Sequence, residues 1–481
     1  MKILSLFLNF LAVVFSLSAA VAQTGRPNII LIIADDIGWD DLGCYGHTVV
    51  QSPVIDRMAT EGIRFDNFYL TTSSCSPSRS SIISGRYPHN TGAAELHTPL
   101  PESISIFPEL LQQAGYFTAQ SGKWHMGEAA RRGFDVIHDK EGIGDGGEEM
   151  WVPTLKDRPK DKPFFLWLAA LDAHRPWGPN EFSGTHDPAQ ISPPVYLANA
   201  SATKTDLAQY YDEIKRFDHY IGEVEKELQR QGVLENTLIM VISDNGRPFP
   251  RSKTRMYDSG IKSPFVAKWP AGIKKSASLS ESMISSIDIA PTFLDLAEVK
   301  VPDSFQGKSF ASLFEKPEKA FRKYVFAEHN WHDHEALERM VRTKDHLYVL
   351  NLRPSLSNNG PADSNASPSY EDLKDLRDKG RLSPAQADIF LHPRPYEELY
   401  LVTSDGEQLL NLGSHPGHME ALEQLREAMK IWIEDTKDTH PENLTPDWYD
   451  KETGKPLDTE KVRGEMPGGE AAMQTTAKGP F

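Results

Sequence analysis

Four apolar segments of this sequence are each followed by side chains that can hold a cation or transfer a proton. In chain order these side chains are Asp35, Asp36, Lys123, His125, Asp172, His174, Asp244 and Asn245. Carboxylate and amide oxygens bind hard cations, lysine neutralises anions, and histidine exchanges protons near neutral pH. Asp and Asn also end strands for purely structural reasons, so one such pair would carry little weight. Their recurrence after four segments indicates a reaction site.

The apolar segments predict the strands that position these side chains. Asn28–Ala34, Tyr116–Ala119, Phe164–Ala170 and Thr237–Ile242 are short and nearly continuous in apolar residues, which is typical of buried parallel strands. Helical patterns such as Leu207–Arg230 alternate with them, so we expect an α/β sandwich with a mostly parallel sheet. Ligand sites of such sheets lie at the carboxyl ends of the strands, where the polar side chains fall.

The chain changes character near residue 320. We assign 23–320 to a catalytic domain, 321–440 to a smaller α+β domain with an antiparallel sheet, and 441–481 to an extended tail. The smaller domain is predicted from short strand patterns, a flexible loop rich in Ser, Asn and Pro, and an amphipathic helix. These segments are Tyr324–Ala327, Met340–Thr343, His346–Leu350, Leu399–Val402, the loop Ser355–Ser369 and the helix Ala421–Thr436.

The N-terminus has the pattern of a signal peptide. Lys2 precedes the apolar run Ile3–Leu17, and Ala20-Val21-Ala22 is a small-x-small cleavage site. We therefore assign 1–22 to a signal peptide and expect export, to the periplasm or the medium. A membrane anchor is the alternative, but the run is shorter than the ~20 residues of a membrane span. The formal net charge of -17 argues against nucleic acid as a partner.

The segment Cys75–Arg86 has the features of a helix with a reactive first residue. Pro77 suits the first turn and Gly85 suits the helix end, so Cys75 lies at the N-terminus, at a surface-facing strand–helix edge. Unpaired N–H groups and the helix dipole favour an anion there, and Arg79 lies one turn further on. For an exported chain with two cysteines, a disulfide between Cys44 and Cys75 is the alternative.

The motifs of this region and their spacing are similar to those of one enzyme family. Cys75–Arg79 has the form C-x-P-S-R and is followed by Ser84-Gly85-Arg86. Further matching segments are Pro27–Asp36, Gly122–Gly127, Ser243–Gly246, Lys253–Tyr257, Glu398–Tyr400 and Asn411-Leu412. Together they resemble the type I sulfatases, which implies an alkaline-phosphatase-like sandwich and a sulfuric ester hydrolase. Asp258–Lys262 and the short loop Leu171–Ala173 depart from the family pattern, and neither removes a presumed catalytic group.

The resemblance is greatest to the N-sulfoglucosamine sulfohydrolase branch, through Ser73–Arg79 and Ser243–Pro250. It implies a bacterial enzyme of polysaccharide degradation, acting on a heparan-type or algal glycan such as ulvan. In this family the cysteine is oxidised to formylglycine by a maturation enzyme, and the hydrated aldehyde attacks sulfur. The resemblance implies that Arg79 orients this nucleophile.

The resemblance also implies roles for other site residues. Lys123 and Lys253 would neutralise sulfate oxygens, His125 would act as the base, and His174 would act as the acid on the leaving group. The cation would be held by residue 75 and an all-oxygen set, which suits Ca²⁺ better than Zn²⁺. That set is Asp35, Asp36, Asp244 and Asn245.

Substrate contacts are the least determined part of the site. His332, His334 and Glu335 form a polar cluster where relatives place substrate-binding residues, and a solvated loop is the alternative. A formylglycine-dependent phosphonate or phosphodiester hydrolase and a non-catalytic glycan-binding relative remain as other functions. The acidic chain cannot attract an anionic polymer over long range, so we expect end-on binding of a terminal sulfated sugar.

Overall fold

The computed structural model describes residues 25–357 and 360–481. The segment 1–22 that the sequence assigns to a signal peptide lies outside the described residues. Within the described part of the chain, no helix has both the length and the apolar character needed to cross a bilayer.

The strands follow the apolar segments of the sequence closely. In chain order they are β1 Asn28–Ala34, β2 Ile63–Phe65, β3 Phe68–Tyr69, β4 Phe117–Gly122, β5 Val136–His138, β6 Phe164–Ala169, β7 Thr237–Ser243, β8 Phe265–Lys268, β9 Ser278–Ser280, β10 Ile284–Ser285, β11 Val325–His329, β12 Glu338–Arg342, β13 His346–Asn351 and β14 Glu397–Leu401.

The helices lie between and around these strands. In chain order they are α1 Pro53–Glu61, α2 Cys75–Ser84, α3 Phe107–Gln113, α4 Trp151–Asp157, α5 Ser201–Arg230, α6 Asp258–Ile261, α7 Ile289–Leu296, α8 Ala362–Asn365, α9 Pro368–Asp378, α10 Pro384–Ala387, α11 Met419–Thr436 and α12 Gly469–Gln474. The predicted loop Ser355–Ser369 contains α8 and the start of α9, so its described part from residue 360 onward is more regular than its composition indicates.

The central sheet has the predicted α/β architecture. Its strand order is β5-β4-β6-β1-β7-β8-β2-β9, and the five strands from β5 to β7 are mutually parallel. Only β8 runs antiparallel to its neighbours. The four predicted strands are therefore adjacent, as β4-β6-β1-β7, and their carboxyl ends share one edge.

Both faces of this sheet are buried, which explains the continuous apolar runs. Along β1, Ile29, Leu31 and Ile33 contact one hydrophobic core, while Ile30 and Ile32 contact the other. Helices α3 and α7 cover the first face, and α1, α4 and α5 cover the second. Burial on both faces stabilises a strand without alternation of polar and apolar residues.

A separate four-stranded sheet confirms the predicted antiparallel pairing. Its strands pair in the order β11-β12-β13-β14, each antiparallel to the next. Helix α11 packs on one face, where the ring of Trp432 stacks on Phe326 with centroids 5.2 Å apart. The amphipathic pattern of the sequence thus marks the packed face of this helix.

Residues 441–481 have little regular structure but pack on the catalytic domain. The guanidinium of Arg86, just past the end of α2, donates hydrogen bonds to the carbonyls of Met473 at 2.9 Å and Thr475 at 3.0 Å. The last part of the chain is therefore hydrogen-bonded to the segment that follows the Cys75 helix.

His329, at the end of β11, is a buried histidine in a cationic environment. It is 2% exposed, and its Nδ1 has no hydrogen-bond partner. Burial, with Arg255, Arg339 and Arg394 nearby, lowers its pKa to about 3. His329 is therefore neutral in the folded protein at neutral pH.

We expect the folded protein to lose stability on acidification in part through His329. Because its folded pKa lies below the unfolded value near 6.5, its contribution is complete above pH 6.5 and is lost as pH falls toward about 3. At pH 4.5 the loss is about 2–3 kcal/mol. Urea unfolding of His329→Gln and wild type at pH 7.5 and 4.5 measures it, with the exposed His219→Gln as control. An equal pH effect in His329→Gln and wild type would contradict this assignment.

Candidate active site

The helix α2 presents Cys75 at its N-terminus, as its sequence predicts. Gly85 ends the helix with φ 62°, and a Cβ there would lie 2.6 Å from the ring of Phe305. The expectation of a surface-facing residue 75 is wrong, since Cys75 is only 2% exposed. Leu96 and Trp331 pack against it and form a small apolar cluster.

Neither cysteine forms a disulfide, so the alternative of a Cys44–Cys75 bridge is not supported. Burial, reinforced by the nearby Asp35 and Asp244, raises the pKa of the Cys75 thiol despite two neighbouring lysines. A thiol that stays protonated is a poor nucleophile. The unmodified cysteine is therefore poorly suited to the attack that its position indicates.

Oxygen ligands converge beside Cys75 from the ends of β1 and β7. The Asn245 Nδ2 group lies 3.1 Å from Asp36 Oδ1, 2.9 Å from Asp244 Oδ1 and 3.1 Å from Cys75 Sγ. Asp35 Oδ1 lies 3.8 Å from the same sulfur. All five residues are buried, and the Asn245 Oδ1 atom has no hydrogen-bond partner.

The aspartates of this group differ in the direction in which the pKa of the carboxyl group is shifted. Burial, together with repulsion from the neighbouring carboxylates, raises the pKa of both Asp36 and Asp244. Burial acts the same way on Asp35, but Lys123, His174 and Arg79 outweigh it and hold the pKa of Asp35 well below its ordinary value. A bound cation would relieve the repulsion among these groups. The crowded carboxylates therefore fit a hard cation, to which Asn245 would turn its Oδ1 in place of the Nδ2 that faces these groups.

Arg79 lies on α2, and its guanidinium is held by the ligand cluster, which is Asp35, Asp36, Asp244 and Asn245. Its Nε donates to Asp244 Oδ2 at 2.8 Å, and its NH2 lies 3.8 Å from Asp35 Oδ1. The NH2 group is buried and makes no hydrogen bond. A buried guanidinium with a free donor is suited to bind an anionic oxygen at the N-terminus of the helix.

Two lysines complete the positive part of the site. Lys123 forms an ion pair with Asp35, and Lys253 Nζ lies 2.6 Å from Asp36 Oδ2. Lys253 also lies 3.5 Å from Asp363 Oδ2. Both ammonium groups therefore border the ligand cluster, where they can neutralise an anion bound next to a cation.

The two predicted histidines occupy different positions. His125 Nε2 is 2.7 Å from His97 Nδ1, whereas His125 Nδ1 is buried without a partner. Burial and the nearby Lys123 lower the pKa of His125 to about 2, so it is neutral at physiological pH. His174 Nε2 lies 3.9 Å from Asp36 and 3.7 Å from Asp363.

His174 is also neutral at physiological pH. Burial and the nearby Lys253 lower its pKa to about 4. Its Nδ1 contacts the backbone carbonyl of Arg175, so this nitrogen is the hydrogen-bond donor and is protonated. The other ring nitrogen is directed at the acidic residues of the site.

A cavity of about 340 Å³ opens above these groups. Its lining residues are Cys75, Leu96, His97, His125, His174, His332, Asp333, Ala362, Asp363, Ala366, Tyr449 and Gly454. A larger groove of about 690 Å³ lies elsewhere and contains none of the motif side chains. The volume of the cavity is at the low end for ligand sites, which suits a single sugar unit better than a chain.

Of the three predicted substrate residues, His332 alone lines the cavity. Its Nδ1 is 2.7 Å from Ser74 Oγ, next to the nucleophile position. His334 lies outside the cavity near Asp447, at 4.0 Å. Glu335 also lies outside, because its carboxylate pairs with Arg353 at 3.3 Å.

Two site residues were not found from the sequence. His97 lies in a loop with φ 64° and contacts His125. Asp363 lies on the one-turn helix α8 and contacts Lys253 and His174. Neither belongs to a motif or follows an apolar run, so no local pattern marks them.

The fold and the site together define a hydrolase of anionic esters. The chain belongs to the Sulfatase family, which matches residues 27–146 and 149–299, and it is a sulfuric ester hydrolase. A second family, N-sulphoglucosamine sulphohydrolase, C-terminal, matches residues 251–351. The resemblance drawn from the motifs is therefore confirmed.

Similar proteins include two sulfatases of known activity. An ulvan-active sulfatase of Formosa agariphila is 28% identical over 85% of this chain and 75% of its own length. The human N-sulphoglucosamine sulphohydrolase is 28% identical over 86% of this chain and 91% of its own length. A structure solved with its substrate D-glucosamine-2-N,6-O-disulfate has a TM-score of 0.68 and 23% identity, covering 85% of this chain and 98% of that chain. This likeness confirms the alkaline-phosphatase-like fold.

Proposed function

We propose that this sulfatase removes sulfate from a terminal sugar of a sulfated glycan, using residue 75 as formylglycine and a bound Ca²⁺. The observation that carries the proposal is the convergence of Arg79, Lys123 and Lys253 with the oxygen cluster at the N-terminus of α2. A sulfate ester needs a nucleophile, charge neutralisation and a proton for its leaving group. Each requirement has a candidate side chain, either in the lining of the cavity or among the buried charged groups next to Cys75.

The cation would be held by Asp35, Asp36, Asp244 and Asn245, next to residue 75. With formylglycine at position 75 the donor set is entirely oxygen, which suits Ca²⁺. When bound, the ion would lower the pKa of the attacking hydroxyl and withdraw charge from the sulfate oxygens. The buried carboxylates that crowd around the Asn245 side chain support this assignment.

Formylglycine at position 75 would supply, in its hydrated form, a hydroxyl nucleophile in place of the protonated thiol. Arg79 would orient that group through its free NH2 donor. Its formation requires a maturation enzyme, either a formylglycine-generating enzyme or an anaerobic sulfatase-maturing enzyme. That enzyme is the protein partner that the proposal implies.

The histidines divide the proton transfers. His125 is neutral and has one buried ring nitrogen without a partner, and a sulfate bound beside it would raise its low pKa toward the range that a base requires. His174 lies across the site beside Asp363, where a bound sulfate would raise its pKa and favour the doubly protonated ring that can protonate the leaving oxygen or nitrogen. His97 would hold the ring of His125 in place through its hydrogen bond.

The proposed substrate class has two supports. The two relatives act on ulvan and on N-sulphoglucosamine, by their names, and both are sulfated saccharides. The small cavity and the charge of -17 favour a chain end over a polymer interior. Export to the periplasm or the medium, inferred from segment 1–22, would place the enzyme where such glycans occur.

We expect the purified enzyme to hydrolyse 4-nitrophenyl sulfate much faster than 4-nitrophenyl phosphate. Among heparan, ulvan, carrageenan and fucoidan oligosaccharides, the preferred substrate should carry its sulfate at a chain end.

Moderate salt should accelerate the hydrolysis of long substrates, because it screens the repulsion between the acidic protein and the anionic glycan over ~10 Å. The hydrolysis of short substrates should be unchanged. Rates on a size series at two salt concentrations test this. A preference for the phosphate ester, or for intact polymer at low salt, would contradict the proposal.

A further inference from the structure

The C-terminal segment of the chain supplies one wall of the active-site cavity. Residues 448–457 form a short antiparallel hairpin, with a bridge between Tyr449 and Pro456 and a hydrogen bond from Leu457 N to Trp448 O at 2.9 Å. Tyr449 and Gly454 of this hairpin line the same cavity as Cys75. The hairpin therefore faces the nucleophile position across the cavity.

A group of side chains anchors the hairpin to the loops beside Cys75. Trp448 packs edge-on against Trp331 with centroids 4.4 Å apart, and Arg463 lies 5.1 Å and 5.2 Å from the two rings. The guanidinium of Arg463 also pairs with Glu95 at 2.8 Å. Because Trp331 packs on Cys75 itself, this anchor connects the hairpin to the base of the cavity.

Backbone contacts fix the other side of the hairpin. Trp448 N donates to Asp333 O at 2.9 Å, and the turn of the hairpin rests on α8. At Gly454, with φ 65°, a Cβ would lie 2.2 Å from the Ala362 carbonyl oxygen. This close approach places the hairpin directly beside Asp363, which follows Ala362 in the chain.

Tyr449 is the aromatic residue of the hairpin that borders the cavity. Its side chain is half-buried, and Lys461 lies 5.4 Å from the ring centroid. Asp333 and Asp363 line the same cavity, and Asp363 Oδ2 makes no hydrogen bond. An aromatic face together with carboxylate acceptors is the combination that binds the C–H face and the hydroxyls of a sugar.

We propose that Tyr449 is a specificity-determining residue, whose ring packs against the sugar that carries the scissile sulfate. The 448–457 hairpin closes the cavity beyond that sugar and so restricts the enzyme to a chain end. This inference rests on the proposed function, since it assigns the sugar subsite of that same cavity. The sulfate itself is bound by other residues, at the opposite end of the cavity.

The test separates sugar binding from sulfate binding. Hydrolysis of 4-nitrophenyl sulfate is the reporter, and the competitive inhibitors are inorganic sulfate, glucosamine N-sulfate and a sulfated ulvan disaccharide. For Tyr449→Ala we expect inhibition by at least one of the sugars to weaken about tenfold, while inhibition by inorganic sulfate changes less than about twofold. Tyr449→Phe should behave as wild type, because the ring and not the hydroxyl makes the contact.

Tyr396→Ala is the matched control, since Tyr396 is 54% exposed and does not line the cavity. Unchanged inhibition by the sugars in Tyr449→Ala would overturn the proposal. It would also be overturned if inhibition by inorganic sulfate weakened as much as inhibition by the sugars. Sugars that fail to inhibit the wild type would overturn it too. A wild type that does not hydrolyse the aryl sulfate would overturn the proposed function itself, so the two failures are distinguishable.

Discussion

Cys75→Ala is expected to lose at least about 10⁴-fold in turnover of 4-nitrophenyl sulfate, as removal of a covalent nucleophile does in other enzymes. Residue 75 lies at the N-terminus of α2 with Asn245 Nδ2 3.1 Å away, and no other described side chain occupies that position. The folded state should survive, because deleting one small buried atom costs about 1–2 kcal/mol. Thermal unfolding of the variant checks this.

Cys44→Ala is the matched control for this prediction. Cys44 is half-buried, is not disulfide-bonded and does not line the cavity, so its variant should retain full activity. Peptide mass spectrometry of active wild type should find an aldehyde in place of the thiol at position 75. Fully active enzyme with an unmodified Cys75 would contradict the assignment of the nucleophile.

Asp244→Asn is expected to lose about 10³-fold or more in activity through loss of the cation. The carboxylate of Asp244 is bonded to Arg79 and Asn245 and borders Asp36, so it is central to the ligand cluster. Chelation of the wild type should give the same loss, with Ca²⁺ restoring activity best. Excess Ca²⁺ should partly rescue the variant, because the other oxygen ligands remain.

The control for Asp244→Asn is Asp288→Asn, which changes a buried aspartate paired with Arg322 outside the cavity. Asp288→Asn breaks a buried ion pair and should lose about 3–5 kcal/mol of stability. Asp244→Asn should lose less, because it also relieves the repulsion among the buried carboxylates. Asp288→Asn alone should keep the rise in melting temperature that Ca²⁺ produces by binding the folded state. Restoration by Zn²⁺ and not Ca²⁺, or undiminished Ca²⁺ stabilisation of Asp244→Asn, would show that the metal assignment is wrong.

The central sheet and the motif residues were predictable because their signals are local. The run from Asn28 to Ala34 is apolar on both faces, and the helix at Cys75 carries its own start and stop signals in Pro77 and Gly85. Parallel strands bring their carboxyl ends to one edge, so the convergence of Asp35 and Asp244 follows from topology. These inferences need no knowledge of distant contacts.

The residues that the sequence did not reveal depend on tertiary structure. Asp363 lies in a segment whose composition predicts a loop, and its short helix is held by contacts such as Ala362 N with Asp333 Oδ2 at 3.0 Å. His97 lies in a loop, and its importance shows only in its contact with His125, which is 28 residues away in the sequence. His332, His334 and Glu335 were predicted as substrate-binding residues, and of the three His332 lines the cavity, since the chain turns at Asp333, whose φ is 66°.

The hydrogen bonds of Arg86 to the carbonyls near the end of the chain affect the order of events during synthesis. Arg86 and Met473 are 387 residues apart, so this contact cannot form until almost the whole polypeptide has left the ribosome. All residues of α2 are buried in the finished fold, including Cys75. A nascent chain therefore lacks these contacts of Arg86 until its last residues emerge, and the proposed maturation enzyme would reach the thiol only while α2 is not yet buried.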